Sequence, residues 1–194
     1  QLYGADDPAL DGVFQRRAGI ESVRETAKKV ADDVRENGDA AVKKYTKQFD
    51  GVDLRDLEVT EDEMYNAVEL IDYETIGHLE KAIDNIEAFH VLQRPSGDMW
   101  LTEISPGIRL GQKFTPLERI GAYVPGGTGS YPSTALMLIV PATVAGVSDI
   151  VVCTPPRKDG TIHPLTLTAL DMAGADRIFK AGGVQAIAAM AYGT

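Results

Sequence analysis

The sequence predicts an α/β fold, an incomplete Rossmann-like parallel sheet built as β-α-β-α-β-α and preceded by an N-terminal helical region. Three observations carry this. Strand-like stretches at Ile120–Val124, Ile150–Thr154 and Arg177–Lys180 alternate with segments of helical spacing. Each stretch runs into a glycine- or proline-rich turn: Val124-Pro-Gly-Gly127, Thr154-Pro-Pro156 and Ala181-Gly-Gly-Val-Gln185. The chain before about residue 98 shows only helical periodicity. Alternation of this kind calls for right-handed crossovers and places all three turns at one edge of the sheet, where α/β proteins bind ligands.

The helical region comes first. Ile20, Val23, Ala27, Val30 and Val34 share one helical face, and Asn37-Gly38 supplies a stop. Asp39 can cap a second helix carrying Val42, Tyr45 and Phe49, closed by Gly51. Thr60-Glu-Asp-Glu63 fits a capping box ahead of Met64, Ala67, Val68 and Ile71. Thr75 opens a longer helix with Ile76, Leu79, Ile83, Ile86 and His90 on one stripe, ended by Arg94-Pro-Ser-Gly97. These stripes are core faces without evident chemistry. Trp100–Ile104 and Ile108–Phe114, separated by Ser105-Pro-Gly107, read as a short hairpin connector. Helices are then expected at Ser133–Ala145, interrupted or kinked at Pro141, at Pro164–Ala173, and from about Val184 to Tyr192. The expected organisation is a helical region at 1–97, a connector at 98–119 and a truncated nucleotide-binding domain at 120–194.

Bulk properties narrow the function classes. With 194 residues, the chain suits one ordinary domain or two small ones, at roughly 100–200 residues each. An apolar share of 44% beside 25% charged residues is globular rather than disordered. No run of about 18 apolar residues signals a membrane span. The start lacks the basic and apolar regions of a signal peptide, and the missing Met suggests a processed or trimmed chain. A single cysteine, Cys153, excludes an internal disulfide and agrees with a cytoplasmic setting. Residues 1–98 hold 23 acidic and 12 basic side chains, whereas 99–194 hold 6 and 7. Neither half carries a basic field, which argues against nucleic acid and anionic membrane as partners.

Several residues offer chemistry. Tyr123 ends the first strand beside the turn, where its ring can pack or stack on a ligand and its hydroxyl can bond one. Gly126 and Gly127 permit close backbone approach, and the helix start at Ser133 or Thr134 offers N–H groups to an anion or merely a cap. Gln185 stands in the first turn of a helix of small and apolar residues. Its amide can fix a ligand amide or ribose, or cap its own helix. Cys153 lacks a partner base and reads as a core thiol. His78, His90 and His163 share no metal-binding spacing.

Several blocks together are similar to one family. Gly121-Ala-Tyr-Val-Pro-Gly-Gly127, Ser133-Thr-Ala-Leu-Met137, Pro141-Ala-Thr-Val-Ala-Gly146, Val152-Cys-Thr-Pro-Pro156 and Gly182-Gly-Val-Gln-Ala-Ile-Ala-Ala189 strongly resemble histidinol dehydrogenase. Asn37-Gly-Asp-Ala-Ala41 and Tyr45-Thr-Lys-Gln-Phe-Asp50 agree, so the likeness runs from about residue 17 onward. The resemblance implies an aldehyde-dehydrogenase-like fold in a zinc-dependent homodimer. It also implies oxidation of L-histidinol to L-histidine through histidinaldehyde, by two hydride transfers to NAD. By position it carries NAD contacts onto Tyr123 and Gln185, with Pro125 beside them and Phe49 as a less certain neighbour. The family's Glu-His acid/base pair, its zinc ligands and a further NAD-contacting Asn match no segment of this chain. No catalytic or metal residue is therefore assigned.

The chain is thus expected to be the N-terminal portion of a histidinol dehydrogenase, inactive alone. An aldehyde-dehydrogenase relative and a stand-alone nucleotide-binding or scaffold module are the alternatives. Tyr123, Gly127 and Gln185 are expected to converge on one pocket. The uncharged helix Val184–Tyr192 is expected to pack on a second copy or to be poorly ordered, with the fragment at least dimeric.

Overall fold

The computed structural model describes residues 20–127 and 129–194. Helix α1 spans Ile20–Phe49 and is broken at Gly38, where φ 53 and ψ −136 leave the helical region. The predicted stop is therefore real, although the chain re-enters a helix at once. Val30 and Val34 before the break, and Ala41, Val42 and Tyr45 after it, are buried. Val23 is 63% exposed and lies outside the core that Val30 and Val34 enter. A polar staple spans the break: Asp33 accepts from Lys44 Nζ at 2.6 Å, Tyr45 Oη at 2.8 Å and Asn37 Nδ2 at 2.7 Å.

Helix α2, Glu61–Glu69, carries both bonds of the expected capping box. The Glu63 N–H donates to Thr60 Oγ1 at 3.2 Å, and the Thr60 N–H donates to Glu63 Oε2 at 2.9 Å. Helix α3, Tyr73–Val91, starts two residues before the predicted Thr75 because Asp72 takes the cap. Its carboxylate accepts the Thr75 N–H at 2.8 Å, a charge-assisted bond at the positive helix end. Strands β1, Met99–Ser105, and β2, Ile108–Lys113, form the expected antiparallel hairpin, with every residue exposed.

The second half follows the predicted order: β3 Arg119–Tyr123, α4 Pro132–Ala145, β4 Asp149–Thr154, α5 Pro164–Ala173, β5 Arg177–Lys180 and α6 Gly183–Tyr192. The strands are parallel in the order β3-β4-β5, with Tyr123 opposite Cys153 and Thr154 opposite Lys180. The expected interruption at Pro141 is absent, since α4 runs unbroken through it. Proline forfeits one backbone bond and crowds the preceding turn; here the surrounding packing of Ile139, Val140 and Ala142 outweighs that cost.

Alternation along the strands builds two cores. Val124, Ile150, Val152 and Ile178 face α4 and α5, with Ala67 of α2 and Leu79 of α3 in the same cluster. Tyr123, Cys153 and Phe179 face the other way, against Val30, Val34 and Val42 of α1 and Ala186 and Ala188 of α6. Helix α1 therefore lies with α6 on one face, while α2 and α3 back the helices α4 and α5 that cover the other. The segment between α1 and α2 covers an edge: Leu57–Val59 lies antiparallel along β5. The Lys180 N–H donates to Leu57 O at 2.7 Å and the Val59 N–H to Ile178 O at 2.8 Å.

The last helix is ordered and has one face in its own chain's core. The buried face of α6, Gln185, Ala186 and Ala188, packs against its own chain. A Cβ on Gly121 of β3 would come within 2.7 Å of Met190 Sδ, so α6 sits directly on the strand backbone. Only its outer face, including Val184 and Ile187, stays exposed.

Two outcomes follow from this packing. Leu170, fully buried in α5, is expected to cost about 2–5 kcal/mol when replaced by alanine, measured by urea unfolding. Hydrogen bonds from Lys44, Tyr45 and Asn37 hold the Asp33 carboxyl down at about 2. A depressed carboxyl stabilises the fold above its unfolded value of about 3.9, and that stability is lost as pH falls through the folded value. Asp33→Asn should therefore flatten the acid limb of a stability-against-pH curve between about pH 4 and 2.

Candidate functional site

The carboxyl ends of the three strands bring their loops together by direct backbone contact. Val124, just past β3, donates its N–H to Cys153 O at 3.0 Å. A Cβ on Gly126 would lie 2.7 Å from Thr154 Oγ1 and 3.2 Å from Pro155 O. On the other side, a Cβ on Gly182 would lie 2.6 Å from Pro155 Cβ. Pro155 is thus held between the first and third loops, and neither glycine position has room for a side chain. The Tyr123 hydroxyl closes the set by accepting the Gly183 N–H at 3.2 Å.

Of the residues singled out from sequence, the structure joins Tyr123 to the loop that opens α6 and leaves Pro125 exposed next to it. Gly127, with φ +88, turns the chain above Pro156. Gln185 sits in the first turn of α6 and is 1% exposed. It does not cap its helix, because Gly182 holds the cap position without a side-chain bond. Instead, both Gln185 amide atoms are buried without a protein partner. A Cβ on Gly183 would lie 3.0 Å from Gln185 Oε1, so the amide is tucked beneath the turn. Phe49 is half exposed and stacks on Tyr45 at 5.6 Å between ring centroids.

Two polar groups escaped the sequence reading. Thr154 ends β4 with its hydroxyl buried and unpartnered. Its position at the close of a predicted strand was the available signal, but burial beneath Gly126 was not readable. Asp50 follows Phe49 with one oxygen buried and unpartnered, and burial pushes its carboxyl above the usual range. A buried, unmet hydrogen-bonding group costs about 1–3 kcal/mol, so such groups at a sheet's ligand edge suit a partner that arrives from outside. Gln185 offers both a donor and an acceptor, the chemistry that an amide or a ribose would bond.

The remaining candidates are structural. Cys153 is buried, and burial pushes its thiol up to about 11. His163 caps α5, its Nδ1 accepting the Leu165 N–H at 3.2 Å. His90 lies 2.6 Å from Gln93 Oε1 and His78 is exposed. Among the described residues no three or more His, Cys, Asp or Glu side chains are grouped to hold a metal ion.

Comparison with known proteins decides the family. A family model described as histidinol dehydrogenase matches residues 14–194. The chain belongs to the histidinol dehydrogenase family. It is 52% identical over its whole length to the histidinol dehydrogenase of Methanosarcina mazei, of which it covers 45%. It is 49% identical over 181 residues to that of Archaeoglobus fulgidus, covering 93% of this chain and 44% of the relative. The crystal structure of histidinol dehydrogenase from Elizabethkingia anophelis superposes on all of this chain and 41% of its own, with a TM-score of 0.83 at 36% identity. The chain therefore spans a little under half the length of these relatives. Three of the sequence blocks that resemble histidinol dehydrogenase, around Tyr123, Pro155 and Gln185, form the three meeting loops.

Gly182→Ala is expected to destabilise the fold by about 1–3 kcal/mol through overpacking on Pro155, read from the urea midpoint. Cys153 should resist an aromatic disulfide reagent at pH 8 in the native state and react on unfolding, because burial suppresses both access and thiolate.

Proposed function

We propose that this chain carries part of the dinucleotide crevice of an enzyme that oxidises L-histidinol to L-histidine, through histidinaldehyde, with two molecules of NAD. The observation that supports it most is the orphaned Gln185 amide where three loops meet. Tyr123 and Gln185 hold the cofactor and Pro125 borders it. The half-buried Tyr123 ring offers a stacking face, while its hydroxyl already fixes the turn that presents Gln185. NAD, when bound, supplies the hydride acceptor. The residues described here supply binding, orientation and exclusion of water at the sheet edge.

Acid/base catalysis and zinc binding are assigned to none of these residues. We read the whole protein as a cytoplasmic, zinc-dependent homodimer acting on a small-molecule substrate. Neither half of this acidic chain carries a basic field that would favour nucleic acid or an anionic membrane.

The test is NADH formation that depends on L-histidinol and zinc, together with NAD titration. A full-length protein containing this sequence should turn over, whereas the 194-residue chain should not. Turnover by that chain after stringent purification would refute the placement of the catalytic groups elsewhere. Gln185→Ala should weaken NAD binding by about tenfold, equivalent to about 1.4 kcal/mol for lost bonds to a buried amide. Unchanged NAD affinity in that variant would sink the crevice assignment.

A further inference from the structure

Just past the end of α1 stands a carboxylate that the cofactor reading above does not use. The second part of α1 runs antiparallel to α6, and successive contacts show how the two helices line up. A Cβ on Gly38 would lie 3.9 Å from Thr194 Cβ. One turn along α1, Val42 shares a cavity with Ala189 and Met190, one turn back along α6. Tyr45 then packs in one cluster with Ala186 and Ala181. The same step of about four residues per turn sets Thr46 level with Ala186, and Asp50 level with Gly182. The Asp50 N–H donates to Thr46 O at 2.9 Å, so the helical step holds as far as Asp50. Two residues on, Val52 Cγ1 lies 3.7 Å from a Cβ on Gly160, in the turn after β4. Asp50 therefore stands at the sheet edge where the loops meet, between the turn after β4 and the start of α6.

Nothing among the described residues answers its charge. One carboxylate oxygen of Asp50 is buried without a donor. Burial pushes the carboxyl above the usual range, with no cation or hydrogen bond to offset it. Lys47, one turn earlier, pairs with Asp53 instead.

In dinucleotide sites of this sheet class, an acidic side chain roughly 20 residues beyond the glycine turn bonds a ribose hydroxyl. Between Gly127 and the end of β4 the one carboxylate is Asp149. It lies at the opposite end of that strand and pairs with Arg119. The next acid, Asp159, is held within its own turn by the N–H and the hydroxyl of Thr161. The strands and their turns thus bring no available carboxylate to the ligand edge, whereas α1 brings Asp50. A ribose diol carries two O–H donors, and bonds from them to a carboxylate are about twice as strong as neutral ones.

We propose that Asp50 is a further cofactor-binding residue, its carboxylate accepting hydrogen bonds from the hydroxyls of a dinucleotide ribose beside Gln185. This rests on the dinucleotide reading above.

The test titrates a full-length protein containing this sequence, as wild type and as Asp50→Asn. The probes are NAD and NAD analogues deoxygenated at the adenosine ribose or at the nicotinamide ribose. Asp50→Asn keeps the shape of the side chain and should weaken NAD binding by about tenfold. Losing a negative charge near the pyrophosphate would by itself tighten binding, so weakening reports the hydrogen bonds. One deoxy analogue should bind wild type about tenfold more weakly than NAD, yet bind the variant almost as well as NAD does. That analogue identifies which ribose Asp50 meets. Thermal melting of Asp50→Asn should show a midpoint no lower than wild type, because a buried unpaired charge has been removed. NAD affinity that is unchanged or raised in the variant overturns the inference. So do analogue losses that are equal in the two proteins for both riboses, which would mark a structural role. In either case a weakened Gln185→Ala variant leaves the NAD reading standing. If NAD does not bind wild type, that reading falls and takes this inference with it.

Discussion

Three parallel strands end at one edge, and the loops that leave them fit together because Gly126 and Gly182 bring no side chain to Pro155. That contact sets the spacing on which the candidate site depends. It places the turn after β5 close enough for Tyr123 to catch the Gly183 N–H, and so fixes how α6 begins. A methyl group at either glycine would have to push a proline ring, strand-end atoms or backbone aside. Close packing of this kind leaves little slack to absorb the shift.

The site is rigid below because the sheet is enclosed. Strand residues alternate between two cores, one under α4 and α5 and one under α1 and α6. The early helices complete both, and Leu57–Val59 pairs with the edge of β5. A three-stranded sheet would otherwise expose backbone groups along that edge. Lys180 shows the same economy: its ammonium is buried at the sheet end because Glu63, already fixed by a capping box, lies within hydrogen-bonding distance.

Caps and ladders are paired, but several buried side-chain atoms are not: those of Gln185 and Thr154 lie where the loops meet, and Thr46, Asp50, Asp149 and Thr168 carry others. Replacing Gln185 by an apolar residue of similar size would remove that cost from the free chain. A bound group that met both amide atoms would remove the same cost, which is why the proposed crevice is placed here. Cys153, one strand position away, has no such role: its thiol simply fills the core under α1 and α6.

The strands, the helices and their order were legible in the sequence, because period-two and period-3.6 apolar patterns report which face each element buries. Gly38 and the Thr60–Glu63 box were equally readable as local backbone chemistry. That the turns bearing Tyr123 and Gln185 meet was readable too, since a parallel sheet gathers its turns at one edge; Pro125 came from the family resemblance alone. What the pattern could not give was anything set by two segments far apart in the chain. The Leu57–Val59 pairing with β5, the seating of Gly121 under Met190 and the Lys180–Glu63 pair arise from tertiary proximity alone. The same holds for the orphaned state of Gln185 and Thr154. A sequence shows that a side chain can form hydrogen bonds; only the packed structure decides whether anything is there to bond.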